Sequence, residues 1–186
     1  MRPEHNQAGW RQGDTAGSKN PALLWAGNLT GACLRALSLL CDTMKPACSG
    51  DLLTVLFVDD DADDRMLFQT ALGEVCSACR LLMVTNGAEA MQVLTSDQPV
   101  IPDVVFIDIN MPLMNGRELL TRIRQRPEFD AMPVVVYSTS TFKHDRARMQ
   151  QLGAHSYLVK PITYNQLCID LRSTLSELGF RIPEMK

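Results

Sequence analysis

Five short, mostly apolar runs recur along the chain, and each breaks off at a polar residue. They fall at residues 53–58, 81–84, 104–107, 134–137 and 156–159. Short apolar runs bounded by turn formers read as strands buried on both faces of a sheet. Between and after them come stretches with helical spacing, at 62–72, 88–94, 117–124, 143–152 and 163–178. In the first, Met66, Phe68, Ala71 and Leu72 are the side chains available for burial. In the last, Leu167, Leu171, Leu175 and Leu178 mark one face. Gly153 and Gly179 follow the final two stretches as stops. Regular alternation of strand and helix predicts an α/β fold: a doubly wound five-stranded parallel sheet with right-handed crossovers. Strand order 2-1-3-4-5 would set the first and third strands side by side at a switch point.

The patterned region is one domain, 51–180. Residues 1–50 read as a poorly ordered or irregular N-terminal extension, and 181–186 as a short C-terminal tail. Residues 22–42 hold loosely spaced leucines, but two glycines weaken a helix there. The abrupt change of pattern suggests a natural start at Met44, with 1–43 a leader. A net charge of −3 gives no support for nucleic-acid binding, and none is expected. No apolar run reaches the roughly 18 residues of a membrane span, so the expected location is cytoplasmic. Of the six cysteines, Cys76 and Cys79 form a single C-x-x-C. Without a second pair or a nearby His it does not make a zinc site, and reduced thiols are expected throughout.

In a parallel sheet all strand carboxyl ends share one rim. Asp59 and Asp60, Asp108, Ser138 and Lys160 each stand just past or at the end of a run, so the topology gathers them on that rim. Taken singly, Asp108 reads as a turn residue and Asp59-Asp60-Asp61 as a solvated helix cap. Taken together, Asp59, Asp60 and Asp108 repel one another unless a cation joins them. A hard, oxygen-preferring ion fits, and Mg²⁺ fits best, since it takes one or two carboxylates and completes its shell with water and phosphate oxygens. Lys160 is a point charge on a long stem, and Ser138 supplies a hydroxyl. A carboxylate on such a rim can accept a phosphoryl group from a donor as an acyl phosphate, with the divalent ion and the ammonium neutralising its charge. No G-x-x-x-x-G-K-[ST] or G-x-G-x-x-G occurs, which argues against a nucleotide enzyme.

The run Val55–Val58 with Asp59-Asp60-Asp61, the stretch Asp108-Ile109-Asn110-Met111-Pro112 with Gly116, the terminal Ser138, and Lys160-Pro161 together resemble the receiver domain of bacterial two-component response regulators. The resemblance covers residues 52–179 and implies a flavodoxin-like (βα)5 fold. It implies that Asp108 is the phosphoacceptor, charged by a sensor histidine kinase. Mg²⁺ would be held directly by Asp60, Asp108 and the backbone carbonyl of Asn110, and through water by Asp59. Lys160 would contact the phosphoryl group, with a cis bond to Pro161. Ser138 would swing toward that group and Tyr157 would follow inward as the switch. The signalling surface would span residues 139–178, including Phe142, Lys143, His144 and Arg146, and offers one mode of homodimer contact. His144 and His155 take surface roles.

On this reading the chain is not an enzyme in its own right. It is a single-domain phosphoacceptor that acts on an unidentified downstream protein. Three hydroxyls after Tyr137 resemble stand-alone receivers that partner bacterial phytochromes. The rival reading is a Mg²⁺-dependent phosphatase or phosphotransferase with an aspartyl-phosphate intermediate. It lacks a second general acid near the nucleophile, because Asn110 stands two residues after Asp108.

Overall fold

The computed structural model describes residues 52–182. The expected extension at 1–50, the helix at 22–42, the start at Met44 and most of the tail lie outside the described residues. The elements are β1 Leu53–Val58, α1 Ala62–Val75, β2 Cys79–Val84, α2 Gly87–Thr95, β3 Val104–Ile107, α3 Gly116–Arg124, β4 Val134–Ser138, α4 Lys143–Gln151, β5 Ser156–Val159 and α5 Tyr164–Glu177. A 3-10 turn, Pro127–Phe129, precedes β4. The sheet is five-stranded in the order β2-β1-β3-β4-β5, and every pairing is parallel. Both are as the alternation predicts.

Side chains alternate across the strands, so each face builds its own core. On one face Leu56, Val58, Val105, Ile107, Val134 and Val136 pack with Leu94, Leu119, Leu120, Ile123 and Met149, which come from α2, α3 and α4. On the other, Val55, Phe57, Val104, Phe106, Val135 and Tyr137 pack with Phe68, Leu72, Leu167, Leu171 and Leu175, from α1 and α5. Phe68 lies at the centre of an aromatic group: it stacks on Phe57 at 3.9 Å between centroids and meets Phe106 edge-on at 5.1 Å.

The helix starts are fixed by short polar side chains that accept the orphan N–H groups of the first turn. Asp61 accepts from the amides of Asp63 and Asp64, Asn86 from those of Ala88 and Glu89, and Thr163 from that of Gln166. Asn115 and Glu118 form a reciprocal capping box at α3. At the amino ends of the strands, Arg124 closes the last turn of α3. Its guanidinium donates to the carbonyls of Gly153 (3.0 Å), Phe129 (2.9 Å) and Met132 (3.0 Å).

Three local expectations are corrected. α1 continues to Val75, past residue 72, because Gly73 sits in open space and Val75 is buried behind it. Met66 is 60% exposed rather than in the core. Cys76 and Cys79 are not separate thiols but a disulfide, with Cα atoms 5.7 Å apart. Cys76 caps α1 and Cys79 opens β2, so the helix end and the sheet edge hold the two close. Cys168 is a free thiol, as expected, and is buried; Cys33, Cys41 and Cys48 lie outside the described residues.

Two outcomes follow from this packing. Phe68→Ala removes the shared partner of the aromatic group and should cost about 3–5 kcal/mol, read as a lowered urea midpoint with unchanged slope. Trypsin releases residues 66–80 as one peptide carrying Cys76 and Cys79 and no other cysteine. Without reductant its mass should be two hydrogens light and resist alkylation; after reduction it should take two alkyl groups.

Candidate functional site

Sheet register builds the site. Val58 pairs with Ile107 across β1 and β3, so Asp59 and Asp108 leave neighbouring strands at the same level. Their amides still extend the ladder: Asp59 N–H donates to the Val84 carbonyl (3.1 Å) and Asp108 N–H to the Val58 carbonyl (2.9 Å). Ser138 pairs with Val159, which puts Lys160 one step beyond β5 on the same rim.

Lys160 reaches across that rim. Its Nζ lies 2.7 Å from Asp59 Oδ2, 2.6 Å from Asp64 Oδ2 and 3.5 Å from Asp108 Oδ1. Its side chain is only 11% exposed, and that of Asp59 only 1%. Burial works against the Lys160 ammonium, but hydrogen bonds to Asp59 and Asp64 and the charge of Asp108 outweigh it, so its pKa stands above the ordinary lysine value. Burial pushes the Asp59 carboxyl up, against the pull of Lys160 and of the Asp61 N–H. The ammonium also lies 5.3 Å from the Tyr137 ring centroid. Burial raises the Tyr137 hydroxyl to about 12. Asp59, Asp108 and Lys160 therefore meet as the topology requires.

Asp64 is the partner that sequence reasoning missed. It shares the acidic first turn of α1 with Asp63, and nothing local separates the two. Only the start of α1 immediately beyond the rim brings it to Lys160. Asp60 is exposed and no hydrogen bond draws it into the cluster.

The loop after β3 is shaped by close backbone contact. Asp108 Oδ2 accepts the Asn110 N–H at 2.8 Å. Ile109, Met111 and Met114 turn inward, while Leu113 is 87% exposed and takes a left-handed φ of 63°, an uncommon conformation costing roughly 1–2 kcal/mol in a non-glycine residue. The Gly116 N–H donates to the Ile109 carbonyl at 3.0 Å, and a Cβ at Gly116 would collide with the Asp108 carbonyl. The start of α3 thus rests directly on the Asp108 backbone.

Ser138 is fully buried, and its Oγ accepts the Ser140 N–H at 3.3 Å. Tyr157 already lies inward, 6% exposed, with its hydroxyl donating to the Ser140 carbonyl at 2.9 Å. The Lys160–Pro161 bond is trans, since no cis peptide occurs among the described residues. That corrects the cis bond the resemblance implied. His144 is a surface side chain, and His155 faces Arg124 at 3.4 Å.

Among the described residues no three His, Cys, Asp or Glu side chains close into a metal cage. The donor set still suits Mg²⁺, which is commonly held by one or two carboxylates with several waters retained. Two neighbouring carboxylates, Asp59 and Asp108, with exposed Asp60 alongside, meet that requirement.

Residues 55–172 match the family described as the response regulator receiver domain. The chain belongs to that family. This receiver is 32% identical over 125 residues to the sensor histidine kinase CheAY of Helicobacter pylori, covering 67% of this chain and 15% of that protein. The phosphorylated cyanobacterial phytochrome response regulator RcpA matches its fold with a TM-score of 0.63 at 27% identity, over 72% of this chain and 100% of that one. The Mn²⁺-bound response regulator Rcp1 matches with a TM-score of 0.60 at 27% identity, over 70% and 99%. The receiver thus spans a small share of the kinase and nearly the whole of both solved regulators. Receivers bind Mg²⁺ and work with histidine kinases. No helix among the described residues is long and apolar enough to cross a membrane.

Two glycines should behave oppositely. Gly116→Ala should cost about 1–3 kcal/mol and displace the amide resonances of Asp108 and Ile109. Gly73→Ala, in open space within α1, should add about 0.5–1 kcal/mol. Urea unfolding of the two variants checks both.

Proposed function

We propose that this receiver takes a phosphoryl group from a phosphohistidine of a sensor kinase onto Asp108 and uses it to change its protein contacts. The observation that carries the reading is the Lys160 ammonium, 3.5 Å from Asp108 Oδ1 and held by Asp59 and Asp64 in a largely buried cluster. An Asp108 oxygen bonds to phosphorus as the phosphorus–nitrogen bond of the donor breaks, and the imidazole leaves with the electron pair. Mg²⁺, when bound by Asp60, Asp108 and the Asn110 carbonyl with Asp59 behind a water, supplies further neutralisation of phosphoryl charge. Lys160 shields the phosphoryl oxygens from one side, and the Asn110 N–H keeps the carboxylate oriented. The buried Ser138 hydroxyl lies at the end of the strand next to β3, where it can turn to a phosphoryl oxygen, and Tyr157 answers on β5.

The readout face is α4, β5 and α5. Phe142, Lys143, His144 and Arg146 are all exposed there, which suits a surface meant for another protein. The likeness to RcpA supports a phytochrome-linked kinase as the donor to try first.

Acetyl phosphate with Mg²⁺ should place one hydroxylamine-sensitive phosphoryl group on the chain. Asp108→Asn should reduce incorporation to background, and Lys160→Ala should slow it on the order of a hundredfold. Steady hydrolysis of phosphomonoesters, or label that survives Asp108→Asn, would overturn the reading.

A further inference from the structure

α4 is weakly anchored by apolar contact. Its sequence from Lys143 to Gln151 buries one side chain, Met149, and Phe142 at its start gives no side-chain cap. Something other than packing must fix the amino end of this helix and the loop from β4 that leads into it. A row of polar contacts does so. Ser140 Oγ donates to Asp145 Oδ2 at 2.6 Å. Arg117 Nη2 donates to Asp145 Oδ1 at 2.8 Å. The Asp145 side chain is 14% exposed and that of Arg117 45%, so the bond to Ser140 is the more sheltered of the two. The hydrogen bond from Ser140 holds the Asp145 carboxyl below its ordinary pKa, which keeps it an acceptor.

The two ends of this row touch the two parts of the site that must communicate. Arg117 follows Gly116, whose backbone rests on the Asp108 carbonyl. Ser140 is the residue whose carbonyl receives the Tyr157 hydroxyl and whose N–H reaches Ser138 Oγ. Arg146, one residue after Asp145, lies over the Tyr157 ring with its guanidinium carbon 5.1 Å from the centroid.

We propose that Asp145 is a positioning residue: bridging Arg117 and Ser140, it sets the β4–α4 loop so that Tyr157 rests inward, and it ties that loop to the phosphoacceptor segment. This rests on the reading of Asp108 and Tyr157 given above. Displacement of the segment after Asp108 then reaches α4 through the Arg117–Asp145 ion pair as well as through Ser138.

The test uses full-length chain carrying 3-fluorotyrosine. The three tyrosines give separable fluorine resonances, and Tyr157→Phe assigns the one needed. In the unphosphorylated wild type, Tyr157 should be shielded from a soluble paramagnetic quencher. In Asp145→Ala its broadening by quencher should rise severalfold, with the Tyr137 and Tyr164 resonances unmoved. Asp145→Asn, which keeps an acceptor oxygen, should restore part of the shielding. Arg117→Ala attacks the same row from α3 and decides the matter if Asp145→Ala fails to fold. An inward, shielded Tyr157 in a folded Asp145→Ala or Arg117→Ala variant would overturn the proposal. Acetyl phosphate labelling of the wild type is measured alongside. If it fails, the phosphoacceptor reading falls, while the quencher result on unphosphorylated protein still judges Asp145.

Discussion

One ammonium group organises the working rim. Lys160 stands in a largely buried position that would be prohibitive for an isolated charge, and it is tolerable there only because three carboxylates face it. Removing one partner from such a buried pair typically costs about 3–5 kcal/mol, because the remaining charge is stranded. The sheet must therefore deliver Asp59, Asp108 and Lys160 to the same level from three strands. Parallel register does this without special loops, since each residue is the first beyond a paired ladder position or close to it. The cluster also leaves Lys160 with divided loyalties. Its shortest contacts are to Asp59 and Asp64, and its longest is to Asp108. New negative charge on Asp108 would compete with Asp59 and Asp64 for the same ammonium.

Much of this was legible because the information is one-dimensional. A strand buried on both faces must be apolar throughout, so its end is visible wherever a polar residue interrupts. The positions of Asp59, Asp108 and Lys160 follow from that interruption together with strand order. What escaped depends on contacts between residues distant in sequence. Asp64 resembles any helix-opening acid until the rim is built around it. Met66 falls within the apolar pattern of α1 yet faces outward, because Phe68, Ala71, Leu72 and Val75 already fill the buried stripe. The disulfide of Cys76 and Cys79 is local, but it depends on the turn that ends α1 at Cys76 and opens β2 at Cys79.

The carboxyl ends of β4 and β5 show a different limit. Ser138 and Tyr157 are identifiable by place, but the rotamer of Tyr157 is not written in its neighbours along the chain. It is decided by whether a carbonyl waits inside, and that depends on how Ser140 is tethered. Polar tethers of this kind are cheap to rearrange compared with an apolar seam, because each broken bond can be remade with water at the surface. A helix such as α4, with one buried side chain, is suited to a part that must shift.

The Arg124 clamp at the far end of the sheet gives the fold a mechanical polarity. A single planar cation binds three loop carbonyls that lead into β4 and β5, so the amino ends of those strands act as a stator. Rearrangement at the opposite end cannot dissipate by tilting the strands as rigid rods. Any such rearrangement would fall on the connections beyond their carboxyl ends, where α4 buries a single side chain.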